Sequence, residues 1–162
     1  MNSGGLLCGL DEAGRGPLAG PVCAAAVILP GDFPRELLND SKKLSPPARE
    51  KAKTVIFREA LAWGIGWASA AEIDEINILK ASLLAMKRAF EAMSAAWNVP
   101  RLKEMGIDPD GSASFPAIRA VADGLFIPDI PVPCEALVKA DSLVPEVMAA
   151  SILAKTARDR LM

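Results

Sequence analysis

The amino-acid sequence predicts a single α/β domain, and three observations carry that expectation. Short apolar runs bounded by Gly and Pro alternate with longer stretches of helical periodicity, the pattern of a sheet covered by helices. At 162 residues, 51% hydrophobic and 23% charged, the chain suits one compact domain rather than a disordered or multidomain one. Adjacent carboxylates, Asp11 and Glu12, stand where the first apolar run ends and a glycine-rich turn begins.

Leu6-Leu7-Cys8-Gly9-Leu10 reads as a short buried strand, and Val22 to Leu29 as a second. Between them lies Asp11-Glu12-Ala13-Gly14-Arg15-Gly16-Pro17. Gly14 and Gly16 let the backbone take positive φ and bring its N–H groups close to an anion or a sugar hydroxyl. Arg15 adds a planar fork of donors suited to phosphate. Acids, glycines and an arginine in this order suit a metal-dependent phosphate site, although the same residues also suit a glycine-rich hairpin with solvated turn acids.

Pro30 to Pro34 reads as a turn, and Ser45-Pro46-Pro47 as a helix start capped by Ser45, continued by Ala52, Val55, Ile56 and Ala60 at helical spacing. Ala62 to Ala68 predicts a third strand. One long helix is expected from Asp74 to Trp97, with Ile78, Leu79, Leu83, Leu84, Met86, Ala89, Phe90 and Met93 on a broad apolar face. Ser69 and Ser94, with no base nearby, read as cap or surface residues, and Asn77 as a residue at the start of a helix. From Pro100 to Pro116 the pattern loosens. Asp108-Pro109-Asp110-Gly111-Ser112 resembles part of a calcium loop but lacks the later ligands, so an exposed turn is expected. Ile118, Ala120 and Ala122 alternate as a strand that ends in Asp123, and Asp141 precedes a final helix over 147–161, where it also suits an N-cap.

Composition narrows the chemistry. With no histidine, the chain itself offers no His-liganded zinc, Ser-His-Asp triad or histidine general base. Cys8, Cys23 and Cys134 are odd in number, lack a Cys-x-x-Cys pair and read as reduced, largely buried thiols. Hydrolysis would then rest on carboxylates and a hard cation. A net charge of -2 does not suit binding to nucleic acid through bulk positive charge, so Arg15, Lys42, Lys43, Lys139, Lys155, Arg158 and Arg160 would act locally, as a phosphate-facing rim or as solvated surface charge. No run reaches the ~18 apolar residues of a membrane span and no basic segment precedes the first apolar run, so a cytoplasmic protein is expected.

The opening run resembles the signature of ribonuclease HII, the type 2 ribonuclease H. The resemblance continues through Asn39-Asp40-Ser41-Lys42-Lys43-Leu44-Ser45, through Ala68 to Leu79, and through Ala149 to Asp159, four blocks in the family's order. Arg15 and the early start favour type 2 over the related type 3 enzymes. The resemblance implies a ribonuclease H-like fold, a mixed five-stranded sheet with three antiparallel strands first and helices on both faces. It implies a catalytic metal cluster of Asp11, Glu12, Asp123 and Asp141, with Asp123 preferred to Asp110 because it lies eighteen positions before Asp141. Glu146 is a weaker alternative ligand.

Mg2+ or Mn2+ is the implied cofactor, two ions on the order of 4 Å apart activating water and stabilising the leaving 3′ oxygen. Gly14, Arg15 and Gly16 would sense the ribose 2′-hydroxyl, Lys42 and Lys43 would hold phosphate, and Asn77 would lie near the substrate groove. The implied reaction is cleavage of RNA–DNA hybrids, and of duplex DNA on the 5′ side of an embedded ribonucleotide, by a monomer. Primer removal and ribonucleotide repair are the implied roles. Family sequences continue past this chain's end with a tyrosine-bearing element, and this chain has no tyrosine. Residues 1–162 are therefore expected to be one catalytic domain, C-terminally truncated, with a silent nucleic-acid-binding fragment or a DNA-only nuclease of the same fold as the other readings.

Overall fold

The computed structural model describes residues 5–14, 20–38, 43–108 and 116–161; Arg15, Gly16, Lys42 and Asp110 lie outside them. Strands β1 (Leu6–Ala13), β2 (Val22–Ile28), β3 (Ala62–Ala68), β4 (Ile118–Asp123) and β5 (Cys134–Leu137) form one sheet in the order β3-β2-β1-β4-β5. The first three pair antiparallel, whereas β4 lies parallel to β1 and β5 parallel to β4. This is the mixed α/β sheet, three antiparallel strands first, that the resemblance implies.

Helix α1 (Pro46–Glu59) starts as expected at Ser45, whose Oγ accepts from Ala48 N at 3.2 Å, and buries Ala52 and Ile56. The long helix expected from Asp74 to Trp97 is instead two: α2 (Ala70–Ile76) and α3 (Ile78–Ser94), broken at Asn77 with φ 77°. Each piece has its own cap. Ser69 and Glu72 form a capping box on α2, and Asn77 Oδ1 accepts from Lys80 N at 2.9 Å to start α3. Asn77 sits at φ 77° and ψ 166°, outside the left-handed region that asparagine favours, so the break between the helices is a strained backbone position held by the caps on either side. The loosened region after Pro100 also departs from expectation, because α4 (Val99–Glu104) forms behind the Asn98 cap and buries Leu102.

The final helix α5 (Pro145–Leu161) begins two residues before its expected start. It packs with α1 on one face of the sheet, while α3 covers the other. Both faces bring backbone against backbone. A Cβ on Gly64 would stand 2.3 Å from Met93 N, and one on Gly66 2.4 Å from Ala89 N, so the glycines of β3 let α3 lie directly on the strand. On the other face a Cβ on Gly9 would meet the Glu146 carbonyl carbon at 2.2 Å, which seats the first turn of α5 on β1. No helix among the described residues is long and apolar enough to cross a membrane.

Candidate active site

Parallel pairing of β1 with β4 places Leu10 opposite Ala122, so the next residues, Asp11 and Asp123, leave neighbouring strand ends together. Side chains alternate across a sheet. Leu10 and Ala122 belong to the core under α3, which turns Asp11 and Asp123 toward the α5 side. Asp141 arrives there from a short 3-10 turn, Ala140–Ser142, entered through Lys139 in the left-handed region at φ 62°. One carboxylate oxygen from each of Asp11, Asp123 and Asp141 lies within 4.8 Å of the other two. Asp11 and Asp141 are buried, and Asp123 Oδ1 accepts from Ala140 N at 3.0 Å, tying the end of β4 to the turn that carries Asp141.

Of the two readings of Asp141, N-cap and cluster member, this placement favours the second. Residues 143 and 144 separate its turn from a helix that begins with Pro145. Glu12, one residue on from Asp11, falls on the opposite side of β1; it lines the same cleft without joining the three-oxygen cluster. Glu146, the weaker ligand candidate, is elsewhere. It lines a separate cleft of about 400 Å³ at the other end of β1, where burial raises its pKa and Arg35 and Arg119 oppose the rise.

The cleft holding the cluster has a volume of about 460 Å³. The Asp11 carboxyl is held well above its ordinary range, first by burial, then by the charges of Glu12, Asp123 and Asp141, against one opposing bond from Glu12 N at 2.8 Å. An all-oxygen set of this kind fits a hard divalent cation, whose charge would remove the repulsion that the acids otherwise bear.

At the rim, Gly14 lines the cleft with φ 103°, a conformation for which glycine is suited. A Cβ there would stand 2.3 Å from Arg158 Nε, which donates to Pro21 O at 3.0 Å. Arg158 thus closes the base of the Gly14 loop rather than joining a solvated rim. Lys155 does line the cleft, with Arg49, a residue the sequence reading did not single out. Arg49 Nη2 donates to Leu44 O at 3.1 Å, and its side chain is only 15% exposed. No motif signals it, because its position depends on how α1 packs on α5. Lys43 is exposed ahead of α1, and Asn77 sits at the α2–α3 junction as a cap, neither of them lining this cleft.

A family model described as Ribonuclease HII matches residues 8–162. The chain belongs to the ribonuclease HII family. It is 53% identical over 160 residues to the ribonuclease HII of Treponema denticola, covering 97% of this chain and 77% of that one. Across the curated relatives compared, the chain spans 58–77% of their length. Two solved structures share the fold. The ribonuclease H2 of Pyrococcus horikoshii aligns with TM-score 0.66 and 22% identity, covering 96% of this chain and 72% of that one. Bst-RNase HIII, solved in complex with Mn2+, aligns with TM-score 0.67 and 20% identity, covering 95% of this chain and 52% of that one. Ribonuclease HII is a metal-dependent endoribonuclease, and the clustered aspartates of this member are an acidic triad that could hold a metal ion.

Proposed function

We propose that this chain, as one catalytic domain over residues 1–162, cuts the RNA strand of RNA–DNA hybrids and duplex DNA on the 5′ side of an embedded ribonucleotide. The observation that carries the reading is the meeting of Asp11, Asp123 and Asp141 within 4.8 Å in an open cleft. Those three residues would hold Mg2+ or Mn2+, with Glu12 contributing from the other side of β1. When bound, such ions supply Lewis-acid activation of water and charge neutralisation at the leaving 3′ oxygen. A manganese-bound structure of the type 3 relative supports the choice of metal.

The chain's own groups do the rest. Asp11 and Asp141 are buried at the floor of the cleft, already largely desolvated, and would face a bound cation with little further loss of water. Arg49 and Lys155 stand on the same cleft wall, where they would orient the substrate's phosphates against that floor. Gly14, with Arg15 and Gly16, would test for the 2′-hydroxyl that distinguishes RNA from DNA, and Lys42, Lys43 and Asn77 would hold the strand further out. A cytoplasmic monomer completes the reading.

The test is cleavage, with Mg2+ and with Mn2+, of three duplexes: an RNA–DNA hybrid, DNA with one ribonucleotide, and the same duplex in DNA alone. Metal-dependent cutting of the first two, lost in Asp11→Asn, is expected. Cutting of none would leave a silent binding fragment, and equal cutting of the third would make it a DNA nuclease.

A further inference from the structure

Beyond β4 the chain runs Gly124-Leu125-Phe126-Ile127, and the three apolar side chains are 75%, 52% and 49% exposed. Consecutive large apolar residues left in water are unusual beside a charged site and mark a contact surface. Leu125 and Phe126 form one wall of a shallow depression whose other wall is the first half of α3, and Glu12 and Asp123 line it as well. The depression therefore adjoins the acidic cleft, sharing two of its carboxylates.

Two details show that the surface is not ordinary core fringe. Phe57, the other exposed aromatic residue among those described, is stacked on Trp63 with ring centroids 4.3 Å apart, whereas Phe126 has no ring partner among the described residues. Ser82, on the α3 side of the same depression, is 1% exposed, and its Oγ has no hydrogen-bond partner among the described residues. Buried hydroxyls are ordinarily paired, so an unpaired one under this depression sets it apart from ordinary core.

We infer that the depression is a nucleotide subsite, in which Phe126 stacks on the nucleobase adjoining the scissile phosphate. The inference rests on the proposed function, since it takes the substrate to be a nucleic acid whose phosphate lies at the aspartates. The depression is too shallow to enclose a base. A base lies across it, its flat face on the Phe126 ring and its edge over Leu125. Stacking of this kind tolerates any base, because every base has a π face. It therefore fixes the position of the strand without imposing a sequence on it.

Phe126→Ala should raise KM for a single-ribonucleotide duplex about 5- to 150-fold, similarly for each base at the flanking position, with kcat changed by less than about twofold. Phe126→Trp should restore the KM and Phe126→Leu should not, which separates stacking from apolar area. A 2-aminopurine base placed beside the ribonucleotide should be quenched on binding to Asp141→Asn and stay bright on the Asp141→Asn, Phe126→Ala double variant. Unchanged KM in Phe126→Ala, or full rescue by Phe126→Leu, overturns the subsite while cutting by the parent chain keeps the proposed function. Phe126-dependent quenching in a chain that cuts none of the three duplexes supports the subsite and overturns the proposed activity.

Discussion

Asp11 and Glu72 are carboxylates of one small domain, and their surroundings push them in opposite directions. Glu72 lies on the surface, takes two bonds from Arg88 at 2.8 and 2.7 Å, completes the cap of α2, and is held down to about 2. Arg88 also donates to Trp67 O at 2.7 Å, so the pair fastens the α2–α3 elbow to the end of β3. Asp11 is buried among Glu12, Asp123 and Asp141 and is held up. One charge is matched locally and supports the fold, while the other is gathered with its like at the fold's expense. A desolvated cluster of one sign is not there for stability, and this is the physical mark that separates the site from the rest of the acidic surface.

The sharpest way to break that contrast is Asp141→Asn. Cleavage should fall at least about a hundredfold, more than the loss typical of a residue one shell out from a metal. Metal-free protein should melt no lower than the parent. Next in size is the response to the cation. Mn2+ at a hundred times its Kd should stabilise the parent by about 2.7 kcal/mol, read as a rise in melting midpoint. Glu72→Gln should keep that response and Asp141→Asn should lose most of it.

The pH dependence sharpens the comparison further. Asp11 binds its proton more tightly folded than unfolded, so its contribution to stability is present below about 3.8 and is lost as pH rises through the raised folded value. Asp11→Asn should remove this loss in metal-free thermal melts. Glu72 runs the other way: its contribution is present above 4.5 and lost as pH falls through about 2. Glu72→Gln, the smallest effect, should lower the midpoint slightly at neutral pH and match the parent near pH 2, with cleavage unchanged at a temperature where both are folded. A pH-independent gap between Glu72→Gln and the parent would remove the ion pair from the account.

Much of this contrast was legible in the sequence, because it depends on local patterns. The alternation of Ile118, Ala120 and Ala122 selects Asp123 over Asp110 as the acid at a strand end, and the structure puts Asp123 beside Asp11. Ser45 reads as a cap from the prolines that follow it, and it caps α1; Ser69, for which cap and surface readings were both open, caps α2. What escaped the reading depends on distant parts of the chain. The apolar stripe runs on either side of Asn77, and periodicity carries no record of a single positive φ. Asp141 also suited a helix cap, and nothing local shows that the left-handed Lys139 turns the chain into a separate 3-10 turn first. Arg49 reaches the cleft only because α1 packs on α5, and Arg158 closes the Gly14 loop across 137 positions of sequence.

The bond from Ala140 N to Asp123 Oδ1 gives this side chain a second duty. Its rotamer is set when β4 and the following turn come together, before any ion arrives. An aspartate free to rotate would lose that freedom on coordination, and the loss would weaken binding. Here the ordering belongs to folding, so the site is preorganised at this ligand. Lengthening the side chain in Asp123→Glu would keep the charge and displace the anchor, and metal affinity should fall even though every carboxylate is still present.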